Sequence, residues 1–159
     1  MVGRILTITR SADFERVLAQ PARSRSAHFA VHHVADRPTL PAGRAAKAVA
    51  SELSTGDAPS CPPLVDETPL AGCWLGTVVP KRHARRAATR NLLKRQIRAL
   101  MGDSAARLAP GLWVVRLKAP FDRQQFPSAA SQPLRIAARV ELAALLQRAA
   151  QPSPPSGKR

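Results

Sequence analysis

The stretch Trp74–Gly102, WLGTVVPKRHARRAATRNLLKRQIRALMG, carries most of what the chain discloses about its fold. It opens on WLGTVV, an apolar run rich in β-formers that Pro80 closes, and so reads as a buried strand. A helix pattern follows. At about 100° per residue, Leu93, Ile97, Leu100 and Met101 fall on one stripe, which should dock on a sheet, with Gly102 as its stop. Asn91, Lys94, Arg95 and Arg98 project from the adjoining face, with Arg90 at its border, while Lys81, Arg82, Arg85 and Arg86 add charge in the preceding loop and first turn.

Between Lys81 and Arg98 stand eight Lys or Arg residues and no acid. Solvated cationic faces usually intersperse Glu four residues before a Lys, whereas here Arg86/Arg90, Arg90/Lys94 and Lys94/Arg98 repel one another. Such a helix favours an anionic ligand. The whole chain, with 25 Lys+Arg against 10 Asp+Glu and a formal charge of +15, extends the point. Nucleic acid suits it, because each neutralised phosphate releases counterions. Guanidinium forks on a rigid helix match phosphate oxygens, and Asn91 can read a base edge or a 2′-hydroxyl. Charge alone does not separate RNA from DNA.

Working outward, Ser11–Ala19 reads as a helix with Ser11 as cap, Asp13 and Glu15 in its first turn, and Phe14, Val17 and Leu18 as its apolar side. Ala27–Val34 alternates Phe29, Val31 and His33 against Ala30, His32 and Val34, which is a strand pattern. Gly111–Lys118 is a further β-rich run, and Pro133–Ala149 an amphipathic helix. Residues 36–70 hold six of the fifteen prolines and five of the ten acids, and read as a disordered insertion, with Arg44–Leu53 as a weak helix at most. Residues 151–159 read as a disordered tail. Residues 1–35 and 71–150 then make a single α+β domain with a small sheet, and a further strand is expected at the insertion's edges.

The stretch Leu75–Leu100 resembles the signature region of the bacterial ribonuclease P protein component, where a strand of the form GLxVxKK precedes a helix carrying RNxxKRxxRE. Gly76, Val79, Lys81 and Arg82 match the first part, and Arg90-Asn91, Lys94-Arg95 and Arg98 match the second in register. LTITRSADFERVL, HFAVHHV and GLWVVRLKAP resemble the family's opening, first strand and late strand. Leu92 stands where a basic residue is usual, Ala99 where an acid often follows, Pro80 replaces a small residue, and the long insertion is atypical.

The resemblance implies a four-stranded sheet with flanking helices, similar to the second domain of ribosomal protein S5, with a left-handed βαβ crossover. It implies a protein that assists a catalytic RNA in removing the 5′ leader of precursor tRNA, with Mg2+ used by the RNA subunit. Lys81, Arg82, Arg85, Arg86, Arg90, Asn91, Lys94, Arg95 and Arg98 would then bind ribonuclease P RNA. A cleft between first helix and sheet would hold the leader of precursor tRNA, with Phe14, Leu18, Phe29, Val31 and His33 as candidates to line it. Trp74 and Trp113 are read as core.

No catalytic residue or protein-bound metal is expected: there is no paired-carboxylate or Cys/His constellation, and Cys61 and Cys73 lack ligand spacing. No 18-residue apolar run spans a bilayer, and the short, broken apolar run in Met1–Arg10 does not suit a signal peptide, so a cytoplasmic protein without membrane or obligate protein partner is expected. A ribosomal or other structural RNA-binding protein shares the charge and fold class and is the competing reading. A DNA-binding regulator would want a helix-turn-helix pair or a dimer interface, and neither pattern is visible.

Overall fold

The computed structural model describes residues 5–39 and 72–151. The weak helix Arg44–Leu53, Cys61 and nearly all of the tail lie outside the described residues. In chain order the elements are β1 (Ile5–Thr7), α1 (Ser11–Leu18), β2 (Ser24–Arg25), β3 (Phe29–Val34), β4 (Cys73–Val78), α2 (Ala87–Ser104), β5 (Gly111–Leu117) and α3 (Gln132–Ala150). They form one five-stranded sheet in the order β1-β4-β5-β3-β2. β4 is parallel to both β1 and β5, whereas β3 runs antiparallel to β5 and β2.

Five strands stand where four were expected, and none lies at a described edge of the insertion. The extra edge strands have three and two residues, too few for an alternation to register in the sequence. Gly102 does not stop α2, which continues to Ser104; Ala105 and Leu108 are buried just beyond and hold the chain down there. Ser11 is not the cap of α1 either. It is the first helical residue, and Arg10 stands at the cap position without a side-chain bond to the helix. α3 has the cap α1 lacks: Ser131 Oγ accepts the Leu134 N–H at 3.3 Å.

Strand parity sends side chains to two different cores. Phe29, Val31, Leu75, Trp113, Val115 and Leu117 meet Leu93, Ile97 and Met101 of α2 and Leu142, Leu145 and Leu146 of α3. Trp113 is fully buried, its indole N–H donating to the Ala109 carbonyl at 2.9 Å. On the opposite face Val17 of α1 packs with Ile8, Leu112 and Val114, bordered by Phe14, Leu18, Val34, Trp74 and Val78. Gly76 makes that approach possible. A Cβ there would lie 2.3 Å from the Phe14 ring, so α1 rests on bare backbone.

Residues 36–39, counted with the insertion on composition, pack onto α1. Asp13 is buried, and its carboxylate accepts the Thr39 N–H at 3.1 Å and the Thr39 hydroxyl at 2.7 Å. Arg16 donates to Asp13 (3.1 Å), Asp36 (2.8 Å) and the Arg37 carbonyl (2.7 Å). Residues 36–39 are therefore tied to α1, and Asp13 is a tether as well as a first-turn acid.

Candidate nucleic-acid interface

The stripe Leu93, Ile97, Leu100 and Met101 is buried as its spacing requires, joined by Leu92. That anchoring turns the opposite side of α2 to solvent. Asn91, Arg95 and Arg98 are exposed, Lys94 and Arg90 half-buried, and Lys81, Arg82, Arg85 and Arg86 exposed ahead of the helix. Three of these cations have internal work. Arg82 donates from Nε to Nε2 of the neighbouring His83 at 3.2 Å. Arg90 folds back to donate to the carbonyls of Ala84 (2.9 Å) and Arg85 (2.8 Å), holding the loop. Arg86 donates to the Pro127 carbonyl at 2.9 Å, and Thr89 to that of Ala129 at 2.6 Å, so the 127–129 segment is pinned to the start of α2.

Ion pairs among the described residues join Arg16 to Asp13 and Asp36, and His28 to Glu141. None reaches the 81–98 segment. Among the described residues, Lys94, Arg95 and Arg98 thus keep their charges free for a ligand. Sequence reasoning missed a neighbour: Arg135 of α3 faces Asn91 and Arg95 across a groove of about 500 Å3. Its only trace in the sequence was its place on an amphipathic helix, which cannot reveal what that helix lies beside.

The proposed leader residues do not form one surface. Phe14 and Leu18 lie on the α1 face, but Phe29, Val31 and His33 point to the face covered by α2 and α3. The cause is parity: in β3 the face toward α1 is Ala30, His32 and Val34. Phe29 and Val31 are fully buried. His33 lies 4.2 Å from the Trp113 ring, its Nε2 is 3.1 Å from the Pro110 carbonyl, and the Arg23 guanidinium is 3.3 Å from its Nδ1. Burial and the Arg23 charge hold its pKa below the ordinary value against the opposing carbonyl bond, so the neutral ring donates from Nε2 to Pro110.

What does share the α1 face is set by the ladders. Val78 and Ala30 pair with Arg116, Arg25 pairs with Ala30, and Trp74 pairs with Leu112. A half-buried Trp74 and the cations Arg25 and Arg116 therefore accompany Phe14 and Leu18 there. Among the described residues no cluster of three or more His, Cys, Asp or Glu could hold a metal, and no helix is long and apolar enough to cross a membrane. Burial raises the pKa of Cys73, which keeps this thiol from acting as a thiolate.

This geometry, a sheet with a helix whose cations up to Arg98 stand without an acid among them, meets its counterpart in known proteins. A family model described as Ribonuclease P matches residues 3–141. The chain belongs to that family. Similar relatives named ribonuclease P protein component come from Burkholderia pseudomallei (44% identical over 77 residues, covering 48% of this chain and 57% of the relative) and Ralstonia pickettii (39% over 84 residues, 52% and 59%). The chain thus spans a little over half the length of these curated relatives. A solved structure of Staphylococcus aureus RNase P protein shares the fold, with a TM-score of 0.53 at 16% identity, covering 91% of this chain and 94% of that one.

Proposed function

We propose that this chain is the protein subunit of ribonuclease P, binding the catalytic RNA and the leader of precursor tRNA while the RNA subunit, with its Mg2+, cleaves the leader. The observation that carries it is the free charge of Lys94, Arg95 and Arg98 on a helix whose other side is locked into the core. Phosphates of a folded RNA neutralise such a ridge, and counterion release supplies the affinity. Lys81, Arg82 and Arg85 extend the same surface, while Arg86 and Arg90 chiefly shape the loop that presents it.

The leader would run along the α1 face. Arg25 and Arg116 offer phosphate contacts there, with Phe14, Leu18 and Trp74 as apolar neighbours, and bases stack on such surfaces without strict sequence preference. Phe29, Val31 and His33 are not part of this path. The site of action is the cytoplasm, where precursor tRNA is made.

The test is cleavage of 5′-labelled precursor tRNA by the matching RNA subunit at low magnesium, with and without the protein. Restored cleavage at the mature 5′ end is expected. RNA binding with unchanged cleavage would favour a purely structural role instead.

A further inference from the structure

A further basic surface begins at the loop before α2, whose Arg82 and Arg85 also extend the α2 ridge, and lies away from the α1 face. The segment after β5 (residues 118–129) runs past the loop before α2, and between them lies a trough of about 290 Å3. Its apolar side is Leu93, Leu134, Phe121 and Phe126, and its rim carries His83, Arg85, Arg86 and Arg123. An adjoining groove shares His83, Arg85, Phe121 and Arg123 and continues to His28 and Arg82. One acid, Asp122, stands in that groove, its carboxylate accepting the Gln124 N–H at 2.9 Å.

Two features separate this trough from ordinary packing. Its aromatic rings are only half-buried yet held in place. His28 stacks on Phe121 at 4.1 Å with the planes 10° apart, and Phe126 meets Phe121 edge-on at 5.8 Å. Glu141 fixes His28 in turn, accepting its backbone N–H at 2.6 Å and lying 2.7 Å from its Nδ1. Burial would raise the Glu141 pKa, but bonds from Ser26 and His28 outweigh it and keep the carboxylate ionised. The second feature is charge: the Arg85 and Arg123 side chains, both exposed, have no protein partner among the described residues. Partly exposed aromatic rings beside free guanidinium groups are what single-stranded nucleic acid needs, a flat surface for the base and donors for the phosphate.

We propose that this trough holds an unstacked nucleotide of single-stranded RNA, its base against the half-buried Phe126 and its phosphate between Arg85 and Arg123. The inference rests on the RNA-binding reading above and adds a third contact to it. It lies on the sheet face opposite α1, so a strand on the α1 face does not reach it, and a different part of the bound RNA must supply the nucleotide. A volume of about 290 Å3 lies at the small end of ligand sites, the scale of one nucleoside and not of a duplex.

The test uses the full chain and a single-stranded oligouridylate carrying one 4-thiouridine. Irradiation should crosslink it to the 118–129 segment. Arg123→Ala should weaken single-strand binding about tenfold, the loss of roughly one charge-assisted hydrogen bond, and should remove the crosslink. Its affinity for an RNA duplex should not change. Phe126→Leu keeps the apolar volume and removes the ring, so it should also lower the crosslink yield. Arg95→Ala should do the reverse, weakening duplex binding while leaving the crosslink. Crosslinks confined to α1, its sheet face or α2, or an unchanged single-strand affinity for Arg123→Ala, would overturn the proposal alone. Failure of wild-type protein to bind either form of RNA would overturn the RNA-binding reading with it.

Discussion

Helices α1 and α2 both carry charge beside an apolar stripe, yet they use it oppositely. On α1 the charges of Asp13 and Arg16 are spent inside the molecule, on each other, on Asp36 and on the 37–39 backbone. On α2 the cations Lys94, Arg95 and Arg98 meet no acid among the described residues. A buried carboxylate with several donors secures architecture, because removing it strands those donors away from water. An exposed cation without a partner contributes little to stability and remains available for a ligand.

That contrast can be broken by experiment. The largest expected effect is ionic. If about six phosphates are engaged, RNA affinity should fall roughly 10³-fold between 50 and 200 mM salt, measured by filter binding. A flat profile would sink the claim that free charge on α2 drives binding. Replacing Lys94, Arg95 and Arg98 together by Ala should flatten the salt slope by about 2 to 3 units while moving the unfolding free energy by less than about 1.5 kcal/mol. Asp13→Ala should do the opposite, costing roughly 3 kcal/mol in urea denaturation with the salt slope of the folded protein unchanged. Equal stability losses in the two variants would erase the distinction between the helices.

Smaller effects sharpen the picture. Gly76→Ala drives a methyl into the Phe14 ring and should cost about 1–3 kcal/mol, unless α1 lifts, which would show as altered near-ultraviolet circular dichroism. The smallest effect concerns His33. Its pKa is depressed in the fold, so as pH falls the unfolded chain takes up the proton first. The associated stability is whole above the unfolded value near 6.5 and is lost as pH drops through the lower folded value. His33→Gln should flatten the denaturation midpoint over that window and leave it alone above pH 7.

Much of the fold was legible because it is local. The buried stripe of α2, the alternation of Phe29–Val34 and the apolar runs of β4 and β5 follow from periods of 3.6 and 2 that any short window shows. The edge strands β1 and β2 were not legible, since two or three residues contain no period and pair only because β4 and β3 offer free edges. The tether of residues 36–39 was hidden for a related reason: it depends on Asp13 lying over Thr39 in space.

The candidate site divides in the same way. The run of cations from Lys81 to Arg98 and the lack of acids among them are properties of the sequence itself, and so is the expectation of a polyanion. Which cations are free was decided by the tertiary structure, which turns Arg90 onto the Ala84 and Arg85 carbonyls and Arg86 onto Pro127. Tertiary structure also decided which side of β3 meets α1. An alternating strand has two faces, and its pattern does not say which helix covers each. The pair α2 and α3 takes the larger side chains, Phe29 and Val31, because two helices bury more apolar area than the eight-residue α1. That choice removed Phe29, Val31 and His33 from the expected cleft and brought Arg25 and Arg116 to it.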